Sequence, residues 1–188
     1  EIYTRLYTLS LHDPLPISER VATVASEFGV TPFMVAHTAL AALLARLTAT
    51  GDISVGTPTA GRGQAVLDPL VGMFVNTLVL RTAVDPGKPF AELLDRVRGT
   101  DLDAFAHADV PFESVVEAVD PVRSEAFAPL AQVMLSFDPV ASAGSAAVEI
   151  AGVEIAAAES PVVAAQQDLR VVVSSAAQGQ PWTGVLTY

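Results

Sequence analysis

The chain has three histidines, at positions 12, 37 and 107, and a general base working near neutral pH would be sought among them first. His37 is in line with Phe33, Leu40 and Leu44 at helical spacing, which predicts a packed, hydrogen-bonded core histidine rather than a catalytic base. His107 falls at the end of a helical segment, where an imidazole suits the negative end of the helix dipole. His12 lies in a leader with no sustained periodicity, and no role follows for it. There is no cysteine, which excludes thiolate nucleophiles, disulfides and Cys-ligated zinc. GxSxG, P-loop, GxGxxG and HExxH patterns are absent, and the acidic residues have no spacing that implies a metal or an acid/base pair. The residues by themselves therefore describe a globular domain without a self-contained active site.

One polar residue is out of place. The stretch VGMFVNTLVLR, residues 71–81, suits a buried turn and strand everywhere except at Asn76. A buried, unpartnered amide costs about 1–3 kcal/mol. Asn76 must therefore be hydrogen-bonded within the fold, or it faces a water-filled or ligand-filled space. Glu113 has a local explanation: with Pro111 at the first helical position, Glu113 is the third, where its carboxylate can bond back to the Val110 N–H.

The elements that would position these residues are legible from pattern. Ser18 is expected to cap a helix carrying Val21, Val24, Ala25 and Phe28 on one face, ended by Gly29. Thr31 is expected to cap a second, with Pro32 in its first turn, running to about Leu47 and apolar nearly all round. Ile53 to Thr57 reads as a short buried strand and Phe74 to Val84 as another. Pro89 opens a helix to about Ala106, with Phe90, Leu93, Leu94 and Val97 on one face, and Pro111 opens one ending near Val119. Leu130 to Phe137, Val153 to Ala157, Leu169 to Ser174 and Thr183 to Tyr188 read as strands, and Ala141 to Ala147 as a small-residue loop. The order predicts an α/β or α+β two-layer sandwich without repeats or an interdomain linker. Of the 188 residues, 51% are hydrophobic and 16% charged, which excludes wholesale disorder. The net charge of −11 repels nucleic acid and anionic lipid. No apolar run reaches the ~18 residues of a bilayer span, and no secretory signal is visible; a cytoplasmic setting is the default.

Four stretches, in order, carry a resemblance. GTPTAGR (56–62), VGMFVNTLVLR (71–81), HADVPFE (107–113) and RSEAFAPLAQVMLSF (123–137) resemble segments of the condensation domains of nonribosomal peptide synthetases, the last three matching (V/I)GxFVNT…R, (H/N)QDxPFE and RxxSRxPLxQVMxxF. QQDLRVVV (166–173) and TGVLTY (183–188) are similar to late strands of that family. The catalytic HHxxxDG motif, which the family carries in its N-terminal half, is not in these residues, so the chain resembles the C-terminal half. Ala108 replaces the usual Gln, Glu125 and Phe127 disturb the last motif, and Gln166 and Gln167 stand where an aromatic often precedes the Asp.

The resemblance implies a chloramphenicol-acetyltransferase-like half of a V-shaped pair. The substrate tunnel lies between the halves, and phosphopantetheine arms of two peptidyl carrier proteins enter from opposite ends. Partners implied are the N-terminal half, the carriers and an adjoining adenylation domain, with no cofactor held by this chain. Gly72, Phe74 and Asn76 are implied in the tunnel or bridging segment, Asn76 bonding either backbone groups or a pantetheine amide, with Gly72 allowing close approach and Met73, Phe74 and Val75 anchored in apolar surroundings. Asp109, Pro111, Phe112, Glu113, Arg123 and Asp168 are implied as scaffold, Arg123 pairing with Asp109 or Glu113, and no catalytic residue is expected. Alternatives left open are a non-catalytic carrier-binding half and half of an epimerisation, heterocyclisation or ester-forming sibling. Residues 1–17 resemble translated sequencing-adapter read-through, so they are expected to be a non-native or disordered leader before a subdomain at 18–188.

Overall fold

The computed structural model describes residues 6–9, 15–63, 65–124, 126–138, 148–150, 153–155, 167–175 and 182–188. Eight strands and four α-helices occur among them: β1 (Leu6–Leu9), α1 (Leu15–Phe28), α2 (Pro32–Thr48), β2 (Asp52–Thr59), β3 (Asn76–Ala83), α3 (Phe90–Ala106), α4 (Phe112–Val119), β4 (Val133–Asp138), β5 (Val148–Ile150), β6 (Val153–Ile155), β7 (Leu169–Ser174) and β8 (Thr183–Thr187). Six strands form one mixed sheet in the order β1-β8-β7-β4-β2-β3, and β5 and β6 form a separate ribbon. The central pairs β2–β4 and β4–β7 are parallel, while β2–β3, β7–β8 and β1–β8 are antiparallel.

The helices follow from their termini. Thr31, extended at φ −85°, accepts the Met34 N–H on its side chain and Pro32 opens α2, which satisfies one of the orphan donors of the first turn. The α1 end is a Schellman turn. Gly29 at φ +61° lets Val30 N–H reach Ala25 O at 2.9 Å and its own N–H reach Ser26 O at 3.3 Å, a conformation that favours glycine. The core joins Met34, Leu40 and Ala41 of α2, Leu93 and Val97 of α3, Ile53 and Val55 of β2, and Leu135 of β4. Leu80, Leu94, Leu135, Val55 and Val97 are fully buried, each such side chain contributing about 1.5–3 kcal/mol over its exposed state. Helices laid on a mixed sheet make the expected two-layer α/β sandwich.

Several expectations need correction. α1 starts at Leu15, so Ser18 is inside the helix and buried, its Oγ accepting the Trp182 N–H at 3.2 Å. Leu6–Leu9 is an edge strand registered against β8, Leu6 opposite Thr187, so the leader is not structureless at these positions; main-chain pairing needs no apolar periodicity. β4 starts at Val133 rather than Leu130, because Leu130 adopts the left-handed conformation, φ 64°, after Pro129, and that backbone does not continue a strand. Phe28 and Phe90 are 46% and 44% exposed, outside the core to which spacing assigned them. The ribbon strand β5 had no expectation behind it. His12, Gln166, the 141–147 loop and the last residues of the 153–157 strand lie outside the described residues.

Candidate functional site

Asn76 begins β3, and its carboxamide reaches across to the segment between α3 and α4. Its Nδ2 donates to Ala108 O at 3.0 Å and Val110 O at 2.8 Å, and its Oδ1 accepts the Phe112 N–H at 3.0 Å. Phe112 is the first residue of α4, and Pro111 before it provides no side-chain cap. A strand residue therefore caps the helix from outside it, taking a donor that the helix leaves orphaned. This corrects the expectation for Glu113: Pro111 is the cap residue rather than the first helical one, Glu113 falls at the second position, and Val110 N–H goes to His107 O at 3.1 Å.

Around this crosslink, a cleft of about 210 Å³ is lined by Leu78 of β3, His107, Val110, and Phe112 and Val115 of α4. His107 caps α3, its N–H turned to the Ala104 and Phe105 carbonyls. Asp109, Pro111 and Glu113 are exposed and Phe112 is half-buried. Arg123 and Asp168 are also exposed, Asp168 in the bend before β7. Arg123 follows Asp120, whose left-handed backbone (φ 45°) turns the chain out of α4; among the described ion pairs it bonds neither Asp109 nor Glu113, which corrects that expected pairing.

The residues before Asn76 form a loop held from behind. Gly61 has φ +61°, and a Cβ there would collide with the Phe74 carbonyl. Gly61→Ala is expected to cost about 1–3 kcal/mol through backbone strain and this collision; an unchanged urea midpoint would contradict it. Gly72 is exposed, with open space apart from the Phe74 ring. Phe74 is half-buried, but Met73 and Val75 are 89% and 59% exposed. The expected apolar anchoring thus fails for Met73 and Val75, which no described residue covers, while Phe74 packs its ring against the Arg62 guanidinium.

Arg81, which ends this motif, grips Asp52 of the neighbouring strand, Nε to Oδ1 at 2.9 Å and Nη2 to Oδ2 at 2.7 Å. The hydrogen bond from Arg81 lowers the Asp52 carboxyl below its ordinary value, and Asp52 raises the guanidinium in turn. A depressed folded-state carboxyl gives stability that is complete above the ordinary aspartate range and is lost as pH falls through the lowered value. The two side chains are 74% and 56% exposed, so water and salt screen them. Arg81→Gln should lower the melting temperature only slightly at neutral pH, and not at all in acid or high salt; a large, salt-insensitive loss would contradict this.

A second cleft, of about 290 Å³, is lined by Phe33, Thr57, Pro58, Phe105, Phe137 and Asp138. It opens at the carboxyl ends of the parallel strands β2 and β4, where α/β sheets commonly take ligands. His37 lies fully buried, its Nδ1 2.9 Å from Oδ1 of an equally buried Asp101. The core reading of His37 agrees with this geometry. Asp101 was missed, although it continues the Leu93, Leu94, Val97 stripe at helical spacing. Among the described residues no group of three or more His, Asp or Glu side chains could hold a metal, and no single helix is long and apolar enough to cross a membrane.

Solved structures share this architecture. The X-domain from teicoplanin biosynthesis superposes with a TM-score of 0.84 at 26% identity, covering 98% of this chain and 42% of that one. The first condensation domain of the CDA synthetase gives 0.72 at 22% identity, covering 97% and 39%. The condensation-domain family matches residues 7–176, and the chain belongs to that family. It is similar to the probable non-canonical nonribosomal peptide synthetase CymA of Salinispora arenicola, 54% identical over 114 residues, which are 61% of this chain and 2% of that protein. It is also similar to the dimodular nonribosomal peptide synthase of Bacillus subtilis, 50% identical over 119 residues, 63% and 5%. The chain thus spans a small fraction of these relatives.

Proposed function

We propose that the chain acts as the C-terminal part of an amide-forming condensation domain. It supplies one tunnel wall, a segment bridging to an N-terminal half, and surface on which carrier proteins dock; it holds no cofactor and no catalytic residue. The observation that carries this reading is the Asn76 crosslink, which welds FVNT to HADVPFE as one rigid unit. Both stretches lie in segments that resemble motifs of the family. In the reaction the acceptor amine attacks the donor thioester carbonyl, the C–N bond forms, the C–S bond breaks and the donor arm leaves as a thiol. An amine reacts readily with a thioester, so holding two phosphopantetheine arms in line supplies much of the rate. The aromatic cleft at Phe33, Phe105 and Phe137 is the candidate stretch of tunnel wall, with Gly72, Phe74 and Asn76 in the bridging segment and Asp109, Pro111, Phe112, Glu113, Arg123 and Asp168 as scaffold. An adjoining adenylation domain and a cytoplasmic setting belong to the same reading.

Reading the coding sequence upstream of Ser18 tests it. An in-frame HHxxxDG well upstream is expected, and the whole domain, given two loaded carriers, should form a dipeptidyl thioester detectable by mass spectrometry. A start codon directly ahead of the leader would overturn the reading. It would favour a non-catalytic binding module instead, for which one observation speaks: an X-domain 25% identical to this chain, TM-score 0.83, is known in complex with OxyB.

A further inference from the structure

The loop after Gly61 inverts the usual logic of a loop. Arg62, half-buried, donates from Nη1 to Leu67 O at 2.6 Å and Asp68 O at 3.2 Å, and from Nη2 to Leu70 O at 2.9 Å. The same guanidinium lies 4.2 Å over the Phe74 ring. One planar group thus binds three carbonyls of a short 3-10 turn, Ala65–Leu67, and its sequel, and stacks on the segment that returns to β3. The side chains that follow alternate. Phe74 and Asn76 turn inward and are half-buried, whereas Val71, Met73 and Val75 are 103%, 89% and 59% exposed. A loop commonly keeps its shape by burying its apolar residues. This one keeps its shape through polar and cation–π contacts behind it, and shows its apolar residues outward.

We propose that Arg62 is a positioning residue that holds residues 65–75 as a preformed apolar edge for the N-terminal half of the domain, an occupant that rests on the function proposed above. The occupant is argued from size. The fold covers 98% of this chain but only 42% of the X-domain structure, so a polypeptide of comparable size lies outside it, and a row of three apolar side chains on a rigid backbone is the kind of edge such a half would cover. Arginine suits the task where lysine does not, because only the planar fork reaches three acceptors while stacking on a ring.

Hydrogen exchange on this 188-residue chain tests the pin. The Asp68 and Leu70 amides bond Ala65 O and Leu67 O inside the loop, and Arg62→Ala should speed their exchange by about tenfold or more, since charge-assisted bonds hold Leu67 O and the carbonyls of Asp68 and Leu70 themselves. Exchange in α2 and α3 should not change. Arg62→Lys should recover only part of the protection, and it is read in the same way if Arg62→Ala does not fold. Unchanged loop exchange in Arg62→Lys, or complete rescue by lysine, overturns the pin. The occupant is tested separately in the intact domain, where the amides of residues 71–75 should become protected relative to this chain alone. Continued fast exchange there overturns the docking edge while leaving the upstream reading of HHxxxDG untouched.

Discussion

Replacing His37 by leucine is expected to destabilise the fold by about 1–3 kcal/mol, the usual consequence of leaving a buried polar group without its hydrogen-bond partner. Both side chains are wholly buried and share one hydrogen bond of 2.9 Å. Neither His37 Nε2 nor Asp101 Oδ2 has another protein partner, so the pair sits in the core under-satisfied. In His37→Leu the buried Asp101 side chain keeps no hydrogen bond. Asp101→Leu should cost a similar amount, about 1–3 kcal/mol, because His37 then loses the same single bond. The double variant His37→Leu/Asp101→Leu should then lie far above the sum of the singles, near the parent or more stable than it, as apolar replacements of buried pairs often are. Urea unfolding of the four proteins measures the cycle. Additive losses would mean that His37 and Asp101 stabilise α2 and α3 independently, and the pair account would be wrong.

This pair also marks how far the sequence could be read. His37 was identifiable as core because Phe33, Leu40 and Leu44 share its stripe, but its partner lies 64 residues away, and periodicity carries no information across such a gap. The clue was present: Asp101 interrupts the buried run of Leu93, Leu94 and Val97, and a carboxylate in an apolar stripe demands a partner. Helix limits were legible where a residue acts on its own backbone, as at Thr31 and Gly29, and misread where the cap comes from elsewhere, as at α4. Pro111 suggested a self-capped start, whereas the donor that needed capping is met by Asn76 from β3. The edge strand Leu6–Leu9 was illegible for another reason, since edge pairing is made by main chain and leaves little mark on residue type. Of the candidate site, the motifs were found from the sequence, while the contacts joining them, and the Arg62 clamp, needed three dimensions.

Asn76→Leu should destabilise the chain by about 2–3 kcal/mol, since three hydrogen bonds are lost at about 0.5–1.5 kcal/mol each and α4 loses the side-chain acceptor of its Phe112 N–H. The change should fall locally first: α4 and the 108–112 turn should exchange faster than α2 or α3, because this amide ties both to β3. Asn76→Asp separates donor from acceptor. It keeps an oxygen for Phe112 N–H but turns a carboxylate toward the Ala108 and Val110 carbonyls, where two N–H donors stood. At neutral pH it should be about as damaging as leucine. In mild acid it should recover, because a protonated carboxyl can give one donor back and no longer repels the carbonyls; a carboxyl whose folded-state pKa is raised stabilises progressively as pH falls. A leucine variant within about 0.5 kcal/mol of the parent would remove the structural role, since substitutions away from special features lie in that range. If the domain then used carrier-bound substrates poorly while folding normally, the amide would be assigned to the tunnel. If it unfolds instead, the carboxamide in the apolar run is there because the 107–113 segment cannot be held to β3 without it.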